Sequence, residues 1–348
     1  MVSELGSGAL PVPEPSTRLR GRDRLLHTAE RLVTGARDRR GGALAVLGGA
    51  GMGKTAVLGT IGRRATGCLV LTVSGVEPER LLPASGLDRL LQQVHDQVDT
   101  HHGQLARACT GRDGPPGADH PFCFAVRQLF VALAQRGPVV CCVDDAHRLD
   151  PVSLAALTFV ARRVSTERIA MMFAYDLGTA SPLAGIPKAH LDPLDDESSI
   201  QVLADRLAMW PAPDLAADLV ELASGNPLAL VELANALTPQ QLGGKTPPPA
   251  TLPTCGRLRR DIGDRFGQLS EQPRQVVLMA VVDDELTVDT VLAAEGADAL
   301  DNAIGSGLVV VHGNAVTVPT TLVRTIVHAD APVTERYTAH RTLARVLD

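Results

Sequence analysis

Lysine is almost missing from this chain of 348 residues: Lys54, Lys188 and Lys245 are the only three. Aromatic side chains are scarce too, with one Trp, two Tyr and six Phe. No apolar run approaches the roughly 18 residues that a membrane-spanning helix needs, so no membrane partner is expected. Six cysteines (Cys68, Cys109, Cys123, Cys141, Cys142 and Cys255) show no paired metal-binding spacing. Long basic runs are absent and the formal net charge is −6, which argues against a broad positive face for nucleic acid. No secretory signal is recognisable at the N-terminus, and the expectation is a reduced, cytoplasmic protein. What is present is an apolar fraction of 45%, enough to bury a large core in two or three domains.

One of the three lysines stands in an informative setting. Gly48-Gly-Ala-Gly-Met-Gly-Lys-Thr55 fits the pattern G-x-x-x-x-G-K-[ST] at every position. Gly48, Gly51 and Gly53 free the backbone to aim successive N–H groups at phosphate oxygens, with Gly49, Ala50, Met52 and Ala56 completing the cradle. Lys54 is placed to reach the β- and γ-phosphates, and the Thr55 hydroxyl to bind Mg²⁺. A Gly-rich surface turn is the bland alternative, and the flanks weigh against it. Ala43–Leu47 reads as a buried strand entering the loop, and Thr55–Arg64 continues as a helix whose N-terminus favours anions. The chain is therefore expected to bind a nucleotide, ATP or ADP, with Mg²⁺.

Such a site needs a second element, a buried strand ending in a carboxylate. Pro138-Val-Val-Cys-Cys-Val-Asp-Asp145 supplies it, because its continuous apolar run suits a central parallel strand covered on both faces. Asp144 is the candidate Mg²⁺ ligand. Asp145 is placed to orient or deprotonate the attacking water, and with Lys54 it forms the candidate catalytic pair. Taken alone, the two aspartates could also cap the following helix.

Residues 1–17 are expected to be disordered. From Arg18 to Gly35 a helix is indicated by Leu25, Leu26, Ala29, Leu32 and Val33 at helical spacing. Strands follow at Cys68–Val73, Ile169–Tyr175 and Ala189–Leu191. Helices are expected over Leu87–Val98 and Phe122–Ala134, separated by the turn-rich Thr110–Asp119, and over Val152–Val164. These elements make residues 18–192 an α/β P-loop nucleotide-binding domain with a parallel sheet. One strand lies between the two phosphate motifs, the arrangement of the class that includes AAA-type ATPases. Residues 193–237 turn helical and form a lid, with Pro227 at a first helical turn. Residues 238–254, with Pro247-Pro-Pro249, read as a linker. Residues 255–348 give helices and a hairpin near Val309–Val318, a winged-helix pattern closed by C-terminal helices.

Further motifs lie along the chain in a telling order. Gly21-Arg22-Asp23 comes first, then Leu82-Pro-Ala-Ser-Gly-Leu87 and Asp144-Asp-Ala-His-Arg-Leu-Asp150. Gly225-Asn-Pro-Leu-Ala-Leu230 and the pair Gly307-Leu308 and Leu322-Val-Arg324 complete the series. With these, the sequence from Arg18 to Asp348 resembles the N-terminal ATPase region of the large ATP-binding LuxR-type transcription regulators, members of the STAND group of signalling ATPases. The resemblance implies that Gly21 and Arg22 lie against the adenine and that Pro227 stands near the base in the lid. It also implies an ATP/ADP-dependent switch working by population shift.

Three departures from the family shape the expectation. Tyr175, followed by Asp176, stands where an arginine able to sense the γ-phosphate is usual, which implies slow hydrolysis. Thr320-Thr321 replaces the usual His-Pro. Family members continue into helical repeats and a DNA-reading helix-turn-helix, which this chain lacks, so DNA is an expected partner only through that absent element. Region 252–348 supports this, with nine Arg and no Lys against thirteen acidic residues, 9 − 13 = −4. Two alternatives stay open. One is an AAA-type motor working as a homo-oligomeric ring, which needs an arginine finger that no residue is assigned to. The other is a nucleotide-locked scaffold without turnover. His147 is read as a supporting residue rather than a ligand, His101-His102 as a solvated helix end, and Trp210 as a packing anchor.

Overall fold

The computed structural model describes residues 19–94, 120–176, 183–207, 209–249 and 251–347. The expectations for residues 1–17, Thr110–Asp119, His101-His102 and the end of the helix toward Val98 lie outside these residues.

The N-terminal half is organised around five parallel strands: β1 (Gly42–Gly48), β2 (Leu69–Ser74), β3 (Val139–Asp144), β4 (Ile169–Asp176) and β5 (Lys188–His190). Their spatial order is β2-β3-β4-β1-β5. Continuous apolar sequence has the effect expected of a sheet covered on both sides, and every residue of β4 is buried. Successive side chains of a strand point to opposite faces, so β4 divides between two cores. Met171, Phe173 and Tyr175 join the layer of α4 (His120–Arg136) and α5 (Pro151–Ala161), whereas Met172 and Ala174 join that of α1 (Asp23–Arg37) and α2 (Lys54–Arg64). Cys141 and Cys142 divide in the same way and act as small hydrophobes, their thiols pushed upward by burial.

The strand order has a direct consequence for function. The strand entering the phosphate loop and the strand ending in Asp144 are not neighbours, because β4 runs between them. Whatever residue ends β4 is therefore delivered between the loop and the aspartate pair. That residue is Asp176, which is opposite Gly48 in the register, while Tyr175 is opposite Leu47.

Two sequence motifs turn out to be partners. Asp150, 1% exposed, caps α5 by accepting from the Ser153 N–H, with Pro151 at the first helical position. Its carboxylate also accepts from the N–H groups of Ala84 and Gly86 at the start of α3 (Ser85–Gln92). The segment 82–87 thus follows the aspartate loop because one buried carboxylate holds both.

Beyond the sheet come α6 (Asp196–Leu207), α7 (Pro213–Ala223), α8 (Pro227–Ala236) and a short α9 (Pro239–Leu242). Then follow α10 (Arg257–Gln268), α11 (Glu271–Val282), α12 (Val288–Ala294) and α13 (Ala297–Gly305). A hairpin of β6 (Val310–His312) and β7 (Ala315–Thr317) precedes α14 (Thr321–Asp330) and α15 (Val333–Leu347). The stretch expected as a linker is more structured than its Pro and Gly content implied. Thr238 and Gln241 form a capping box on α9, and Leu252 is buried among the core side chains. One apolar cluster runs without a break from Leu194 in the lid to Leu343 in α15. Thr320, at the departure from the family pattern, caps α14 by accepting from the Val323 N–H. Among the described residues, no helix is long and apolar enough to cross a membrane.

Candidate functional site

The phosphate loop turns tightly between β1 and α2, with Gly51 at φ +74° and Gly53 at φ +92°. At Gly51 the constraint is also steric. A Cβ there would stand 2.6 Å from the Asn226 side-chain oxygen and 3.0 Å from the Leu228 Cβ. The Lys54 ammonium, nearly buried, is held back over its own loop, donating to the carbonyl oxygens of Gly48 (2.7 Å) and Gly49 (2.9 Å).

Its third contact is one the sequence reading missed. Lys54 Nζ donates to Asp176 Oδ1 at 3.1 Å, and the other carboxylate oxygen of Asp176 accepts from Arg265 on α10 at 2.7 Å. Arg265 also pairs with Asp261 one helical turn earlier (2.9 Å), and Arg148, just past the aspartate pair, stands 3.6 Å from Asp261. Burial alone would raise the Asp176 carboxyl, but the Lys54 and Arg265 cations outweigh it and leave the group below its ordinary value. The expectation that Tyr175 takes the phosphate-facing position at the end of β4 is corrected. Strand alternation turns Tyr175 into the core, 3% exposed, with its ring edge-on to His147 at 5.6 Å. The neighbouring acid, named only as the residue after it, is the one that meets the lysine.

The aspartate pair is where the motif put it. Asp144 ends β3, its Oδ1 accepting from the Asp145 N–H. Burial raises its carboxyl, and a hydrogen bond from Thr55 acts in the opposite direction. Asp145 adopts the left-handed conformation, φ +43° and ψ +45°, unusual for a side-chain-bearing residue. It opens onto a cavity of about 690 Å³ that also exposes Lys54, Thr55, His147, Asp176 and Arg265. Burial lowers the His147 imidazole below its ordinary value, so the ring is neutral near pH 7.

The far wall of this cavity is α10, and its sequence shows why. Leu258, Ile262 and Phe266 recur at four-residue spacing and are buried, so the helix is anchored on one side. The flank beside that buried stripe presents Arg257, Arg260, Asp261, Asp264 and Arg265 to the cavity, which Leu258 also reaches. Glu232 of α8 accepts from the backbone N–H groups of Arg257 and Leu258, which fixes the start of α10 against the lid.

A second, smaller hollow of about 350 Å³ adjoins the loop and shares Gly51, Met52, Gly53, Ala56 and Leu228 with the first. Leu19, Leu194, Val202, Pro227 and Val231 give it an apolar lining, with Arg20, Arg22, Asp205 and Arg206 at its edge. Arg22 is nearly buried and donates to the carbonyl oxygens of Asp192 and Met52, so it braces the hollow. Gly21 is not among the lining residues; its backbone passes Leu194 and Ser198 too closely for any Cβ. Asn226, inside a motif but given no role by sequence, clamps the lid to the loop. Its amide donates to the Ala50 carbonyl, its oxygen accepts from the N–H groups of Leu228 and Ala229, and the Leu228 N–H reaches the Gly51 carbonyl. An Asn before a Pro at a helix start was the available signal.

The residues fit a nucleoside phosphate. A glycine cradle, an inward lysine and an adjoining apolar hollow match phosphates and a base. Thr55 and Asp144, hydrogen-bonded to each other, are the residues that would hold a divalent cation. Among the described residues, no cluster of three or more His, Cys, Asp or Glu is poised to hold a metal. Magnesium does not need one, since it keeps several waters and binds through one or two protein oxygens plus phosphates.

Comparison with known proteins agrees. Residues 18–173 match the AAA ATPase domain family. No curated protein matches the chain. A similar solved structure is the Walker-type ATPase of Pyrococcus abyssi, at 16% identity and a TM-score of 0.56, covering 91% of this chain and 99% of that one. Two others are a STAND protein with a tetratricopeptide repeat sensor from Pyrococcus horikoshii and the Holliday-junction branch migration motor of Thermotoga maritima. The first has 14% identity and a TM-score of 0.39, covering 89% of this chain and 44% of that one. The second has 13% identity and a TM-score of 0.44, covering 90% and 96%. Of the three, the first superposes closely enough to show the fold, that of an α/β P-loop NTPase. Residues 18–173 are an AAA-type, ATPase-like nucleotide-binding domain.

Proposed function

We propose that the chain is an ATP/ADP-dependent switch that hydrolyses ATP slowly, serving a transcription regulator of the LuxR type. The observation that carries the switch is the chain of contacts Lys54–Asp176–Arg265. It runs from the phosphate loop through the end of β4 to a helix of the C-terminal half. A change at the phosphates is thereby a change in what holds the two halves together, which is what a bistable signalling element requires. In this reading Gly48–Ala56 cradle the phosphates, and Thr55 and Asp144 hold Mg²⁺, which would neutralise phosphate charge when bound. Asp145, beside the cavity, orients the attacking water. Arg22 and Pro227 shape the base hollow. The hairpin between α13 and α14 serves as the wing of a winged-helix unit. The regulatory role draws on the motif resemblance. DNA contact is assigned to a helix-turn-helix of the kind that family carries, and self-association is part of the same reading.

The reading is tested by equilibrium binding of ATP and ADP with Mg²⁺ to the unmodified chain and to Lys54→Ala. The variant removes the cation aimed at the phosphates and should lower affinity for both nucleotides by 100-fold or more. Undiminished affinity in a folded variant would overturn the assignment of the phosphate loop. A steady-state rate near 10 s⁻¹, a typical enzyme value, would overturn slow turnover.

A further inference from the structure

We propose that Arg265 is the cation by which this site distinguishes a nucleoside triphosphate from a diphosphate, and that Asp176 holds it until a γ-phosphate arrives. The proposal rests on the nucleotide reading above and deepens it. Lys54 and Arg265 lie on opposite sides of one carboxylate, 3.1 Å and 2.7 Å away, and all three open onto the cavity beside the loop. A P-loop lysine reaches the β- and γ-phosphates, so its counter-ion here occupies the neighbourhood where the γ-phosphate must sit. Asp176 at neutral pH is an anion, held ionised by the two cations. It acts as an internal surrogate for a terminal phosphate oxygen.

Two anions cannot share these cations without repulsion. A γ-phosphate therefore competes with Asp176 for Lys54 and Arg265, while a diphosphate, one phosphoryl group shorter, leaves the Asp176–Arg265 pair in place. The rest of the face is consistent with a charge balance that one more polyanion would tip. Arg257 and Arg260 look into the same cavity as Asp261 and Asp264. Arg265 is the member of this group that bonds to the end of β4, and Asp261 supports it from one turn away. The usual position for a phosphate-sensing arginine, the end of β4, holds acid instead. The arginine comes from α10, 89 residues later in the chain, and the acid captures it. Because α10 is fastened to the lid through Glu232, releasing Arg265 from Asp176 alters how the C-terminal half is tied to the sheet.

The test is calorimetric titration of the full chain with ADP and with the non-hydrolysable triphosphate AMP-PNP, both with Mg²⁺. In Arg265→Ala, AMP-PNP affinity should fall about tenfold or more while ADP affinity changes by less than about twofold. Arg265→Lys should retain part of the preference, since it keeps the charge without the fork. Asp176→Asn should move the ratio the other way, favouring AMP-PNP, because it removes the competing anion. That variant keeps the question open to refutation if Arg265→Ala folds poorly. An unchanged AMP-PNP-to-ADP ratio in both Arg265→Ala and Asp176→Asn, with nucleotide still bound, would overturn this proposal alone. Binding of neither nucleotide by the unmodified chain would overturn the nucleotide reading and this proposal together.

Discussion

The two ends of the cleft beside the phosphate loop are built from different materials. The end proposed for the base is a hollow of about 350 Å³ lined largely by aliphatic side chains, with no aromatic ring among its described lining residues. The phosphate end, about 690 Å³, is lined by charged groups drawn from the loop, from β4 and from α10. Apolar contact is non-directional and scales with buried area, so on the proposed reading the hollow would hold any nucleotide carrying the same base equally, whatever its phosphate count. Paired charges at the other end respond to each added negative charge. Affinity and discrimination are thus assigned to opposite ends of one cleft, and the loop between them serves both.

Breaking the shared element should have the largest effect. Gly51→Val places a side chain at φ +74° with its Cβ against Asn226 and Leu228, both part of the lid clamp. We expect nucleotide affinity to fall by 100-fold or more for ATP and ADP alike, by calorimetry on a variant whose circular dichroism shows it folded. Retained binding would mean that the loop tolerates the lid in another position.

The difference between the ends also explains what the sequence made legible. Eight consecutive residues specify the phosphate loop, and one apolar strand with two aspartates specifies its partner, because both are local patterns with fixed chemistry. The five-stranded parallel sheet follows from the same runs of apolar residues, and its elements lie within a few residues of their expected positions. The cover of the phosphate end could not be found this way. Arg265 meets Asp176 across 89 positions, and Asn226 meets Ala50 across 176. Neither pairing has a periodicity. Tyr175 was misplaced because a one-residue step along a strand exchanges the faces of a sheet, and no local signal fixed which of Tyr175 and Asp176 faced the loop. The stretch 238–254 reads as a linker by composition, yet the capping box of Thr238 and Gln241 was present in the letters.

Altering the apolar hollow alone should move both nucleotides together. Val231→Glu introduces a carboxylate into the apolar hollow. It should weaken ATP and ADP by similar factors, about tenfold, or about 1.4 kcal/mol. A change in the ratio of the two affinities would show that the base end also senses phosphate count. Asn226→Ala should act more gently. It removes the cap of α8 and the bond to the Ala50 carbonyl, at a cost of about 1 kcal/mol. The lid should open more readily, seen as faster release of both nucleotides in stopped flow, with their ratio again preserved.

The smallest expected effect concerns protons, and it lies at the phosphate end. At the phosphate end His147 is lowered from 6.5 by burial, although the nearby Asp176 and Asp145 carboxylates pull it upward. Asp176 is lowered from 3.8 in spite of burial. For the histidine, the unfolded chain takes up its proton first as the pH falls below 6.5. Stability is therefore unaffected above that point and declines below it, until the folded protein binds the proton as well. For Asp176, the favourable pairing with Lys54 and Arg265 is complete above 3.8 and is lost as the pH falls through its lower folded value. The melting temperature should decline in each window. His147→Gln should flatten the first, and Asp176→Asn should flatten the second while widening the first, because it removes a carboxylate that pulls His147 upward. If the slope from 6.5 downward is the same in His147→Gln as in the unmodified chain, burial of that imidazole is not what sets it.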